Sequence, residues 1–170
     1  MANMKQAVAR HNTKIENKEE EVDQLQPGCN CNDGVESCPM EGNCLIDKLV
    51  YKSAVVDSRN ILNTYTGLTS MTFKQRYYGH TSSFRNRGDK DNSTTLSTYI
   101  WKLKDEGLDF DMSWSVVDRG NPFNPTTRKC RLCLNEKFHI IFQPAGATLN
   151  KRSELFSTCR HRLRKLLANT

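Results

Sequence analysis

Apolar positions along this chain recur with two different periods, and the change of period marks out its elements. From Leu45 to Val56 the run containing "LVYKSAVV" is dense in β-branched and aromatic residues, and after a turn at "DSRN" a second such run, "ILNTYTGL", follows. Together they predict a hairpin. Phe73, Tyr77, His80 and Phe84 then recur at helical spacing behind Thr72 and Gln75, which stand at capping-box separation, so a helix with one apolar face is expected. Leu96, Tyr99, Ile100 and Leu103 predict another helix, which Gly107 can end in a left-handed conformation. Phe110, Met112, Trp114 and Val116 alternate with Asp111, Ser113 and Ser115, the two-residue period of a strand with one buried face. A loop, "RGNPFNPTTRK", leads into a core helix at about Leu132 to Ile141, and a last helix is expected from about Arg152 to the end. The expected class is α/β, a small sheet of about three strands flanked by helices.

Residues 3 to 25 predict a polar helix, in which Val8, Ile15, Val22 and Leu25 form a thin apolar stripe and "ENKEEEVDQ" a charged face. Such a segment reads as a linker or the tail of a neighbouring domain. "QPG" at 26 to 28 breaks the pattern, so the chain divides into a polar segment 1–26, a cysteine-rich segment 27–44 and a domain 45–170. A length of 170 residues suits one compact domain with an appendage. With 36% hydrophobic and 26% charged residues and a mean hydropathy of -0.69, no run approaches the roughly 20 apolar residues of a membrane span. No secretory leader is visible in "MANMKQAVARHNTK", and an intracellular setting with no membrane partner is expected.

The net charge of +6 is unevenly spread. Residues 1 to 44 hold 4 Lys/Arg against 8 Asp/Glu, and residues 45 to 170 hold 21 against 11. The basic part suits a phosphate-rich partner, and Lys74 with Arg160, Arg162, Arg164 and Lys165 are the candidate nucleic-acid contacts.

The seven cysteines form two groups. Cys29, Cys31, Cys38 and Cys44 lie in a segment with almost no apolar side chains, where a tetrahedral Zn²⁺ would supply the missing cross-link; disulfides are the competing reading. Cys130 and Cys133 form a CxxC pair, and Cys159 and His161 in "CRH" offer a second Cys3His set. In a continuous helix Cys159 and His161 would point about 200° apart, so they can share an ion only where the helix is interrupted. Otherwise Cys159 reads as a core thiol, and His161 as a phosphate contact among the arginines.

Tyr51, Tyr65, Arg76, His80, Glu136 and Asn150 are polar groups placed where phosphodiester chemistry would use them: a base, a cation for the phosphoryl oxygens and a carboxylate for a divalent metal. At these residues the sequence resembles the GIY-YIG nuclease superfamily. The first signature element stands here as "LVY" at 49 to 51 and the second as "YTG" at 65 to 67, followed by the helix "FKQRYYGH", a later helical Glu and a later Asn. The resemblance covers roughly Leu45 to Glu154. Its nearest flavour is the endonuclease domain that follows the reverse transcriptase in Penelope-like retroelements, to which "CRLCLNEK", "LNKRSEL" and the upstream cysteines contribute. Two departures are Leu49, where the family usually has Gly, and the separation of 14 between the two tyrosines.

The resemblance implies a metal-dependent DNA endonuclease of a mobile element, nicking DNA to prime insertion in the nucleus. It implies a reverse transcriptase domain in the same polypeptide and element RNA as partners. By the same carry-over, Glu136 would bind Mg²⁺ or Mn²⁺, Arg76 would neutralise developing charge, and Tyr51 or Tyr65 would orient or deprotonate the attacking water. His80 would carry a proton or contact phosphate, Asn150 would position the metal side or the substrate, and Gly67 would allow close backbone approach. The competing expectation is a catalytically silent, zinc-containing module that binds nucleic acid.

Overall fold

The computed structural model describes residues 28–32, 34–88, 94–124 and 126–151, together with Leu155, Cys159 and His161. The expected polar helix at 3 to 25 and the candidate nucleic-acid contacts Arg160, Arg162, Arg164 and Lys165 lie outside the described residues.

A three-stranded antiparallel sheet is built from β1 (Leu49–Asp57), β2 (Leu62–Thr69) and β3 (Phe110–Arg119) in the spatial order β2-β1-β3. Among the described residues three full helices accompany it: α1 (Phe73–Arg85), α2 (Thr95–Asp105) and α3 (Arg131–Phe142). The expected hairpin is present, with Tyr51 opposite Gly67 and Ser53 opposite Tyr65. Asp57 makes its turn. The carboxylate accepts from the amides of Arg59 at 3.0 Å and Ile61 at 2.9 Å, and Asn60 takes a left-handed φ of 63°. β1 starts at Leu49 rather than Leu45, because the carbonyls of Cys44 and Ile46 turn instead to the first amides of α1.

Those two bonds, from Lys74 N to Cys44 O at 2.7 Å and from Phe73 N to Ile46 O at 2.8 Å, satisfy donors that a helix start otherwise leaves open. Thr72 and Gln75 complete the capping box. Glu106 ends α2, and Gly107 follows at φ 67°, with Leu108 N donating to Leu103 O and Gly107 N to Lys104 O. This is the paired-bond stop that the glycine forecasts.

The sheet carries a core on each face. Leu49, Tyr51, Val55 and Tyr65 pack with Phe73 of α1 and with Leu96, Ile100 and Leu103 of α2. Cys38, Met40 and Cys44 join the same core, so the cysteine-rich segment is packed into the domain. On the other face Val50 packs with Phe123, Cys130 and Leu132, where α3 starts. α3 differs from its expected character as a core helix. Leu132 and His139 are its buried residues, whereas Leu134, Phe138, Ile141 and Phe142 are each more than half exposed. The expected unbroken last helix is also interrupted, since Leu155 is helical but Cys159 and His161 are not.

Candidate functional site

Four of the six residues singled out in the sequence meet on the α1 side of the sheet. Tyr51 and Tyr65 come from adjacent strands, with ring centroids 6.5 Å apart, and Arg76 and His80 from successive turns of α1. The Arg76 Nε–H donates to the Tyr51 hydroxyl at 2.9 Å, and the same hydroxyl lies 2.7 Å from His80 Nε2. An arginine nitrogen can only donate, so the phenol oxygen accepts from Arg76 and its own proton points to His80.

The electrostatics agree with that assignment. Burial, helped by the Arg76 cation, holds the His80 imidazole down at about 3, so it is neutral and offers a lone pair. Burial works against the charge on Arg76, but the oxygens of Tyr51 and Tyr65 outweigh it and raise the guanidinium above its ordinary value. Tyr51 is 0% and His80 2% exposed, whereas Arg76 is half-buried. Of these four groups, the guanidinium is the one with most surface to offer a ligand.

Phe73 and Trp114 hold the Tyr51 ring edge-on and tilted, at 5.6 and 5.8 Å. Tyr51→Phe removes the oxygen that joins Arg76 to His80 and leaves both without that partner. A loss of about 2 kcal/mol is expected, read as a lower urea midpoint at constant slope. An unchanged midpoint would mean that the hydroxyl does not join them.

Asn150 pairs with the backbone of β2. Its side chain accepts from Thr66 N at 2.8 Å and donates to Thr66 O at 2.8 Å, beside Tyr65. Thr64 and Thr66 hydroxyls donate to Ala145 O and Gly146 O, and Leu149 N to Thr64 O. The segment 145–150 thus runs along the outer edge of β2 and satisfies the backbone groups of Thr64 and Thr66. Glu136 is half-buried on α3, on the stripe that Leu132, His139 and Gln143 mark at helical spacing. α3 packs on the Val50 face. Leu134, Phe138, Ile141 and Phe142 of α3 face outward, so Glu136 shares the packed stripe with Leu132 and His139.

Sequence reasoning missed a polar cluster on this second face. His139, 9% exposed, meets Gln143 Oε1 through Nδ1 at 3.0 Å and Asp118 Oδ2 through Nε2 at 3.3 Å. The helical spacing from Leu132 marks His139, but simple alternation sends Asp118 to the face of Trp114. A β-bulge opposite Val50 and Tyr51 pairs Asp118 with Val50 and turns it toward α3.

Both cysteine groups could hold zinc. The ligand atoms of Cys29, Cys31, Cys38 and Cys44 all lie within 4.8 Å of one another, and so do those of Cys130, Cys133, Cys159 and His161. Sulfur separations of 3.8 Å for Cys31–Cys44 and 3.6 Å for Cys29–Cys44 suit a tetrahedral ion, for which zinc–sulfur bonds of about 2.3 Å imply roughly 3.8 Å. His161 Nδ1 stands 3.7, 3.3 and 3.9 Å from the sulfurs of Cys130, Cys133 and Cys159. The break in the last helix removes the angular objection to sharing one ion. Every described cysteine is a free thiol, so the disulfide reading is not met.

Crowding the thiols has a titration cost. Burial, then the neighbouring sulfurs, pushes Cys44 up to about 12. Burial also raises Cys38, but bonds from the backbone of Met40 and Gly42 reverse this and leave it at about 6. Burial and Cys130 likewise push Cys133 up. A divalent cation relieves that mutual resistance to ionisation, which makes the donor chemistry fit zinc.

Among the described residues no helix is long and apolar enough to cross a membrane. Comparison with family models, with curated proteins and with solved structures finds no match.

Proposed function

We propose that this chain is a metal-dependent DNA endonuclease of GIY-YIG type, serving a mobile element of the Penelope-like kind. The observation that carries the reading is the Arg76–Tyr51–His80 chain of bonds, flanked by Tyr65, at residues that match the family's motif order. Arg76 would grip the scissile phosphate with its planar fork of donors. Tyr51 and neutral His80 would hold the guanidinium in place and offer a path for a proton, with Tyr65 next to the attacking water. Glu136 would hold Mg²⁺ or Mn²⁺, and such an ion, when bound, supplies charge neutralisation at the phosphate; its helix packs on the Val50 face and not with Arg76, so the phosphate would have to lie across the edge of the sheet. A reverse transcriptase domain in the same polypeptide, element RNA and a nuclear setting belong to the same proposal.

Full burial of Tyr51 favours a second reading, a zinc-containing nucleic-acid-binding module whose phenol cluster is structural. Plasmid relaxation in Mg²⁺ or Mn²⁺ separates the two. The wild type is expected to nick supercoiled DNA, and Glu136→Ala and Arg76→Ala to lose at least about a hundredfold of that rate. Equal rates in all three, or none in any while DNA binding persists, would overturn the endonuclease.

A further inference from the structure

Between the turn formed by the first cysteine group and the outer face of α1 lies a cavity of about 250 Å³, lined by Cys31 of that group and by Asn32, Ser37, Pro39, Lys74, Tyr77 and Tyr78. It is separate from the phenol cluster. Lys74 and Tyr78 stand four residues apart and share one face of α1, while Arg76 sits about 200° around the helix from each. The far side of a helix is only about 10 Å away.

Three features of the cavity point to one kind of ligand. Tyr78 is 58% exposed, and its ring lies 6.2 Å from that of Tyr77. Tyr77 is itself held from behind by Phe73 and Trp114, at 6.2 and 5.9 Å. The Lys74 ammonium stands 5.9 Å from the centre of the Tyr78 ring and is fixed at the cavity wall by Asn30, whose backbone oxygen and Oδ1 accept from it at 3.0 and 2.6 Å. Asn32 and Ser37 bring side-chain donors and acceptors to the rim. The volume falls below the roughly 300–1,000 Å³ of sites for drug-sized ligands, which suits a single planar ring system.

We propose that this cavity holds one unpaired nucleobase of a single-stranded nucleic acid, stacked on Tyr78, with Lys74 at the adjoining phosphate. An aromatic face accepts any base, because every base has a π-face, and a neighbouring cation suits the strand's charge. Bases inside a duplex have both faces covered, so the cavity selects a strand end, a gap or an unwound stretch. The inference deepens the endonuclease reading by naming the state of the nucleic acid near Arg76, but base stacking itself requires no catalysis.

The test is fluorescence anisotropy of the full chain with a labelled single-stranded DNA oligonucleotide, its RNA counterpart and a blunt duplex of equal length. Tyr78→Ala is expected to weaken single-strand binding about tenfold and to leave the duplex within about twofold. Tyr78→Trp should restore the affinity, and its indole emission should fall on adding the single strand. The DNA and RNA arms report which sugar the cavity accepts. Loss on duplex and single strand alike, no loss on either, or an unquenched indole would overturn the proposal. Absence of nicking by the wild type would remove the endonuclease and leave this result standing.

Discussion

Replacing Gly67 with alanine is expected to lower the stability of the domain by about 3 kcal/mol, the largest effect of a single added carbon among the described residues. A Cβ at Gly67 would fall 2.6 Å from the Tyr51 oxygen, 2.8 Å from its Cζ and 2.8 Å from Cε1 of Tyr65. Neither ring has room to retreat. Tyr51 is wedged between Phe73, Trp114 and His80, and Tyr65 is 6% exposed. Relief has to come from the strand pairing of Gly67 with Tyr51, which would also pull the hydroxyl from Arg76 and His80. Thermal melting should show a midpoint lower by about 10 °C. In a double-mutant cycle Tyr51→Phe should recover only part of it, since Cζ remains in the way. A midpoint within about 2 °C of wild type would show that the two strands can part at Gly67 at little cost. The sequence reading gave Gly67 a role in close approach to the following helix; the structure shows instead that it makes room for two phenol rings.

Withdrawing zinc is expected to have a still wider effect. Structural zinc is worth about 10–16 kcal/mol in small zinc domains, comparable with the 5–15 kcal/mol of a whole domain. Here the first cysteine group does more than close its own turn: Cys44 O and Ile46 O receive the first two amides of α1, and Cys38, Met40 and Cys44 sit in the principal core. Loosening that turn therefore frees the start of the helix that carries Arg76 and His80. An ion in the second group would tie Cys130 and Cys133, at the start of α3, to Cys159 and His161. Protein purified without added metal should carry two zinc ions per chain by elemental analysis, with Cys44→Ser and Cys133→Ser each retaining one. Cys44→Ser should melt lower by more than about 10 °C. A metal-free protein whose melting is indifferent to chelator would sink both sites.

The elements with a clean period were legible in the sequence. Thr72 and Gln75 announced the start of α1, Gly107 the end of α2, and the two β-branched runs the hairpin, because each depends on local chemistry. Tyr51, Tyr65, Arg76 and His80 come together because a strand pair and one helix suffice, whereas Glu136 lies on the helix that packs on the other face of the sheet. What was not legible depends on contacts made far along the chain. Asn150 spends both ends of its amide on Thr66, a partner 84 residues away. The Asp118–His139 pair depends on a bulge that alternation cannot foresee. For α3, a run of apolar residues suggested burial, yet the stripe of Leu132 and His139 is the one that packs.

The strip of chain from 145 to 150 has a further effect on how copies of this protein can meet. With the flank of β2 closed by Asn150 and its neighbours, β3 offers the one unpaired backbone margin of the sheet among the described residues. A ribbon with two open margins can recruit strands without limit, but one with a single open margin can be joined only once. Edge-to-edge contact between molecules would therefore end at a pair and could not propagate into a filament.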